Sequence, residues 1–185
     1  MEQIAIISDI HGNLPALEAV LEDIRQRQIE RIYCLGDLVG KGPDSAAVID
    51  LCRDVCTATV RGNWDETMVD EERGTSAHWQ WNRERLGHAR LTYLRNLPFA
   101  VDFLISGRRV RLFHASPQSV HHRSPFATIF SGCVICFSTP TPRGMNSHRP
   151  LLSAMATFTI PTCCRSTGAC CSTWAVLATR WTTAP

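Results

Sequence analysis

Asp9 and His11 stand one residue apart immediately after the apolar run Ile4 to Ile7. Asp37 follows a second run, Ile32 to Leu35, Asn63 a third, Thr57 to Val60, and His114 a fourth, Arg109 to Phe113. Carboxylate and amide oxygens together with imidazole nitrogens are the donors that a hard or borderline divalent cation takes. Two such cations ~3.5–4 Å apart lower the pKa of a shared water and screen the negative charge that repels a nucleophile from phosphate. Taken singly, each residue has a plainer reading, since an Asp at a strand end is more often a turn or helix cap. Four blocks in order, each at the end of an apolar run, outweigh those separate readings.

The donors meet only if the runs between them are strands whose ends converge. Leu14, Leu17, Val20, Leu21 and Ile24 recur at helical spacing after the first block, with Pro15 suited to a first helical turn. Ser45 to Cys52 reads as a second helix between the second and third runs. This β-α-β-α-β alternation predicts parallel strands with crossover helices and functional groups at the carboxyl edge. Glu66 to about Leu97 reads as two helices carrying Trp79, Trp81, Leu86, Leu91, Tyr93 and Leu94. They are either a partial lid beside the site or ordinary helix-to-core packing, and packing is the favoured reading. Phe99 to Ile105 and Arg109 to Phe113 alternate around Gly107-Arg108 as a hairpin. Gly40, Gly42 and Pro43 shape a tight loop without need of phosphate contact, His78 and His88 belong on helix surfaces, and His121 and His122 face solvent.

A chain of 185 residues is enough for one domain with a full core. With a net charge of +2 and no basic block, nothing calls for nucleic acid or an acidic membrane surface. No stretch reaches the ~20 apolar residues of a membrane span, and the opening run is strand-like without a charged-then-apolar leader, so a cytoplasmic protein is expected. Of nine cysteines, Cys34, Cys52 and Cys56 sit singly among apolar residues, and the other six crowd between Cys133 and Cys171. Acidic residues stop at Asp102.

The blocks Asp9-Ile10-His11, Gly36-Asp37 with Gly42 beyond, Gly62-Asn63-Trp64-Asp65 and His114 resemble the calcineurin-like metallophosphoesterases, whose signature is D-x-H, G-D-x-x-x-x-G, G-N-[HWC]-[DE], H and G-[HD]-x-H. The resemblance covers Ile4 to about Pro117, and the fifth block is missing as written. It implies an α/β fold, a four-layer α-β-β-α sandwich of two facing sheets flanked by helices. It implies a phosphoesterase acting on phosphodiester or phosphomonoester bonds through a hydroxide bridging two divalent metals. Asp9, His11 and Asp37 would hold the first metal, and Asp37, as the bridge, Asn63 and His114 the second. The catalytic set would be Asp37, Arg61 and Asn63, with Arg61 holding a phosphate oxygen through its planar fork. Asp65 would support that set from behind or cap the following helix. Mn, Fe, Zn, Ni and Mg are all admissible, with Mn favoured; the partner would be a small phosphoester substrate, and the oligomeric state stays open. Where related protein phosphatases have Gly-Asn-His, this chain has Trp64, whose indole cannot protonate a leaving group. Activated or nucleotide phosphodiesters and pyrophosphates are therefore expected over alkyl phosphomonoesters.

From about Ser124 both hydrophobic periodicities vanish. Rereading the coding sequence one base out of frame turns Met155 to Thr182 into GDIHHPYLLQVNGRLLFNVGSVGNPLD, which contains the missing G-D-x-H block. The genetic code alone forces several of these letters: the Met155-Ala156 and Trp174-Ala175 junctions become Gly, Cys163-Cys164 becomes Leu and Trp181-Thr182 becomes Asp. The expectation is a phosphoesterase domain over 1–123 and a poorly structured, out-of-frame tail over 124–185, with the slip between His122 and Phe130. Loss of the last metal-binding block then impairs the chain as written. The alternative is a noncatalytic metal- or phosphate-binding module whose Cys133-x-x-Cys136, Cys163-Cys164 and Cys170-Cys171 form a real partner-binding tail. A single C-x-x-C pair argues against a zinc module there.

Overall fold

Ile4, Ala5, Ile6 and Ile7 are apolar on both alternating faces, the pattern of a strand buried on two sides. The computed structural model describes residues 3–121 and, further along, the backbones of three strands. In it Gln3–Ser8 forms β1, with Ile4 and Ile6 in one buried cluster and Ala5 and Ile7 in another. The chain continues through α1 (Leu14–Gln26), β2 (Arg31–Cys34), α2 (Ser45–Val55), β3 (Ala58–Thr59), α3 (Asn63–Val69) and α4 (Ala77–Arg95). A hairpin of β4 (Ala100–Ile105) and β5 (Arg108–His114) follows, and β6 (Cys133–Ser138), β7 (Thr157–Thr159) and β8 (Trp174–Arg180) complete the order.

One sheet runs β3-β2-β1-β8-β7 and the other β4-β5-β6. β1, β2 and β3 are mutually parallel, registered Ile4 to Arg31 and Tyr33 to Ala58, so their carboxyl ends lie along one edge. Ile4, Ile6, Tyr33, Leu35 and Val60 from that sheet pack against Ile105, Val110 and Leu112 of the hairpin, making the layer between sheets. On the opposite face Ala5, Ile7, Ile32 and Cys34 meet Leu17 and Ile24 of α1, Val48, Ile49 and Cys52 of α2, Met68 of α3 and Leu86 and Leu94 of α4. One helical layer and two facing sheets of the expected sandwich are thus seen among the described residues.

α1 starts where the sequence expects: Asn13 Oδ1 accepts the Ala16 N–H at 3.1 Å, and a proline occupies the first turn. The pair of helices expected over 66–97 is α3, which begins earlier at Asn63, and α4, which is kinked at Gly87. Both are anchored by Met68, Leu86 and Leu94 in the main core, which is packing and not a detached lid. The hairpin turn is one residue earlier than expected, at Ser106-Gly107 with φ of 48° and 75°, so that Ile105 pairs with Arg108. Two positive φ values in a two-residue loop match the right-handed twist of the strands, which a turn over Gly107-Arg108 would not. The expected tail and its reread G-D-x-H block lie outside the described residues, apart from the backbones of β6, β7 and β8, which pair into the sheets. No helix among the described residues is long and apolar enough to cross a membrane.

Candidate metal centre

At the carboxyl ends of β1 and β2 the chain turns through left-handed backbone without using glycine at the chemical residues. Asp9, His11 and Asp37 have φ of 55°, 52° and 58°, and Ala115, next to His114, has 50°. Such conformations cost a non-glycine residue about 1–3 kcal/mol and persist where surrounding contacts over-determine them. Here two loops are laced together: Asp9 N donates to Gly36 O at 3.0 Å, His11 N to Asp37 O at 2.8 Å and Gly12 N to Leu38 O at 2.8 Å. The wholly buried Asp65 carboxylate accepts three further backbone N–H groups, from Asp37 at 2.8 Å, Leu38 at 2.9 Å and Gly62 at 3.0 Å. It thereby ties the loop after β2 to the start of α3.

Close backbone approach explains the glycines of two blocks. A Cβ on Gly36 would lie 2.3 Å from Gly62 N, and one on Gly62 would lie 2.1 Å from Asp37 Oδ1. Only hydrogen fits in either place, so Gly36 and Gly62 let the second and third strand ends bring Asp37 and Asn63 together.

The five expected ligand residues converge. His11 Nε2 lies 3.8 Å from Asp9 Oδ1 and 3.6 Å from Asp37 Oδ2. His114 Nε2 lies 3.8 Å from the same Asp37 Oδ2 and 3.0 Å from Asn63 Oδ1. Asp37 Oδ2 therefore sits between two imidazoles, while its Oδ1 accepts the Trp64 N–H at 2.8 Å. Ligand atoms of Asp9, Asp37 and His114 all lie within 4.8 Å of one another. These residues line a cleft of about 200 Å³ together with Lys41, Trp64, Ala115, Val120 and His121.

The donor set fits a metal. Both histidines point Nδ1 at a carbonyl oxygen, His11 at Val39 O (3.0 Å) and His114 at Leu35 O (2.8 Å). A carbonyl only accepts, so Nδ1 carries the proton and Nε2 of each neutral ring keeps its lone pair, the orientation that metal-ligating histidines are given by such partners. Burial lowers the His11 pKa, which favours that neutral ring. His114 Nε2 and Asn63 Oδ1 are then two acceptors facing each other, an arrangement a cation reconciles. Burial, and after it the neighbouring Asp65 carboxylate, pushes the Asp37 carboxyl up to about 8, the mark of buried negative charge without an adequate positive partner. Burial also pushes Asp65 above its ordinary range, against the pull of its three amide donors and the His114 ring.

Arg61 lies beside Glu66, the carboxylate that His121 also meets. It is not among the cleft-lining residues; its Nε lies 3.9 Å from Glu66 Oε1 and makes no hydrogen bond. Trp64 fills the wall beside the ligands, its ring 5.1 Å from that of His11, 5.0 Å from Trp79 and 5.5 Å from the Lys41 ammonium. Gly40 makes room for it, since a Cβ there would meet the indole at 2.3 Å. Sequence reasoning missed Lys41, whose position between Gly40 and Gly42 right after a strand-end Asp was the available signal. His121 is exposed, as expected; it also lines the cleft, and its Nε2 lies 2.7 Å from Glu66 Oε2. His78 and His88 are exposed on α4, as expected.

The sequence profile described as calcineurin-like phosphoesterase matches residues 3–144. The uncharacterized protein MJ0912 of Methanocaldococcus jannaschii is 37% identical over 121 residues, covering 62% of this chain and 50% of that protein. Phosphodiesterase YfcE of Escherichia coli K12 is 32% identical over 148 residues, covering 65% of this chain and 80% of YfcE. Among solved structures, the hypothetical protein PH1004 from Pyrococcus horikoshii OT3 superimposes with a TM-score of 0.56 at 26% identity, over 64% of this chain and 57% of that one. The chain spans half the length of MJ0912.

Proposed function

The chain belongs to the calcineurin-like phosphoesterase family, and from that premise we propose that it hydrolyses small phosphoesters using two divalent metal ions, manganese by preference. Asp9, His11 and Asp37 would hold one ion, and Asp37, Asn63 and His114 the other. When bound, such ions supply an acidified water and neutralise phosphate charge. The observation that carries this reading is Asp37 Oδ2 lying between Nε2 of His11 and Nε2 of His114, 3.6 and 3.8 Å away, with both rings locked by backbone carbonyls.

The protein's own groups then do three things. Asp65 and the laced loops hold the donors in place before any ion arrives. Lys41 offers the cleft a positive charge for a substrate phosphate, whereas Arg61 would have to leave Glu66 to do so. Trp64 shapes the cleft without offering a transferable proton, which favours activated phosphodiesters over alkyl phosphomonoesters wherever no other cleft residue takes over that role. A cytoplasmic location suits three free cysteines among the described residues, Cys34, Cys52 and Cys56.

The chain as written lacks the G-D-x-H block, and the same reading makes it a weak metal binder with low turnover that one frame-restoring indel would repair. The test is metal analysis with turnover of bis(4-nitrophenyl) phosphate and of a phosphoserine peptide, on this chain and on its frame-restored counterpart. Manganese uptake with faster diester hydrolysis by the restored protein is expected. Faster peptide hydrolysis would sink the substrate preference, and metal uptake without any turnover would favour the noncatalytic module.

A further inference from the structure

We propose that His121 is the leaving-group proton donor of this cleft, positioned by Glu66; this rests on the phosphoester-hydrolase reading above. Of the ten cleft-lining residues, Asp9, His11, Asp37, Asn63 and His114 are committed to the metal centre. Ala115, Val120 and Trp64 have no proton to give at neutral pH, which leaves Lys41 and His121. Of the two, only the imidazole has a second nitrogen, so that one can be held by a carboxylate while the other donates a proton and takes it back.

The geometry around His121 is that of a supported acid. Its Nε2 meets Glu66 Oε2 at 2.7 Å; in the charged ring that nitrogen donates to the carboxylate, and Arg73, which can only donate, is then a neighbouring cation and not its hydrogen-bond partner. Glu66 projects from α3, three residues beyond Asn63, so the same short helix that delivers a ligand also delivers the support. Arg73, from the segment after α3, lies 3.1 Å from the same Nε2, and Arg61 approaches the other Glu66 oxygen at 3.9 Å. Among the described residues Nδ1 has no protein partner, and the residue lines the cleft. As the bond between phosphorus and the leaving oxygen breaks, its electron pair goes to that oxygen and the Nδ1 proton joins it. The ring, left neutral, regains a proton from the water whose oxygen has taken the vacated place on phosphorus. Atoms and charge balance without another reactant.

The test compares the manganese-loaded frame-restored protein with its His121→Gln and Glu66→Gln variants on methyl aryl phosphodiesters ranging from 4-nitrophenyl to phenyl leaving groups. His121→Gln should retain 4-nitrophenyl turnover within about threefold and lose about 100-fold or more on the phenyl ester, the range typical of a removed general acid. Glu66→Gln should show the same trend more weakly. An equal loss across the series would overturn the proposal, as would a fall in bound manganese, which would make His121 a ligand or a structural prop. Absence of turnover by the metal-loaded frame-restored protein on every ester would count against the hydrolase reading, and the His121 assignment is then decided separately. In metal-free protein, nitrogen NMR of the histidine rings should show His121 protonated at Nε2, that pattern lost in Glu66→Gln, and Nδ1 shifting on titration with phenyl phosphate. A Nδ1 signal unmoved by phenyl phosphate would overturn it.

Discussion

Replacing Asp65 by alanine should do more damage than replacing any residue that faces the cleft. Its carboxylate is wholly buried and accepts the N–H groups of Asp37, Leu38 and Gly62 at 2.8, 2.9 and 3.0 Å. Hydrogen bonds to a charged group contribute about 1.5–3 kcal/mol each, so three amount to roughly 4.5–9 kcal/mol before compensation. Against that stands the cost of keeping a carboxylate out of water, several kcal/mol, which alanine removes. The balance is a loss of about 3–5 kcal/mol, as found when one partner of a buried charged network is deleted. A typical domain has only about 5–15 kcal/mol to lose. Asp65→Asn keeps the shape and one accepting oxygen but turns an amide N–H toward a backbone N–H, and should cost about 2 kcal/mol. Urea unfolding of metal-free protein, followed by tryptophan fluorescence, measures both. An Asp65→Ala protein within about 1 kcal/mol of the parent would refute the claim that this carboxylate ties the two loops together.

Gly62→Ala puts a methyl 2.1 Å from Asp37 Oδ1; it should destabilise by about 1–3 kcal/mol and weaken manganese binding at least tenfold, read by calorimetry. The Asp37 carboxyl, pushed up to about 8, must lose its proton to accept a cation. Manganese affinity should therefore rise by up to about tenfold per pH unit between pH 6 and 8 and then level off, with proton release in buffers of different ionisation enthalpy; a flat profile would contradict it. Asp102→Ala breaks the cross-strand pair with Arg111 at 2.8 Å, whose side chains are 40% and 55% exposed. Screening by water keeps its cost below about 1 kcal/mol in thermal or urea unfolding.

The first strands and their parallel crossovers were legible because β1 and β2 are buried on both faces and so are mostly apolar, and because α1 carries both a helical stripe and Pro15. The convergence of the candidate ligands was legible for a related reason: each donor stands near a strand terminus, so spacing in the sequence reports place in the fold. What escaped depends on side-chain direction and irregular backbone. Arg61 comes within 3.9 Å of Glu66, a pairing of side chains that no neighbouring residue type announces. His121 lies in a segment without periodicity, and only its distance to Glu66 on another element shows that it is held. The left-handed backbone at Asp9, His11 and Asp37 runs against local preference and is imposed by the hydrogen bonds between their two loops. The hairpin turn was displaced by one residue because Ser106, and not Arg108, shares the positive φ with Gly107.

The most direct measurement is anomalous diffraction from crystals grown with manganese. A peak within bonding distance of Asp37 Oδ2, flanked by Nε2 of His11 or His114, is the predicted result, with a second peak on the other side of the same oxygen in frame-restored protein. Manganese bound elsewhere, with Asp37 turned away from both rings, would contradict the account.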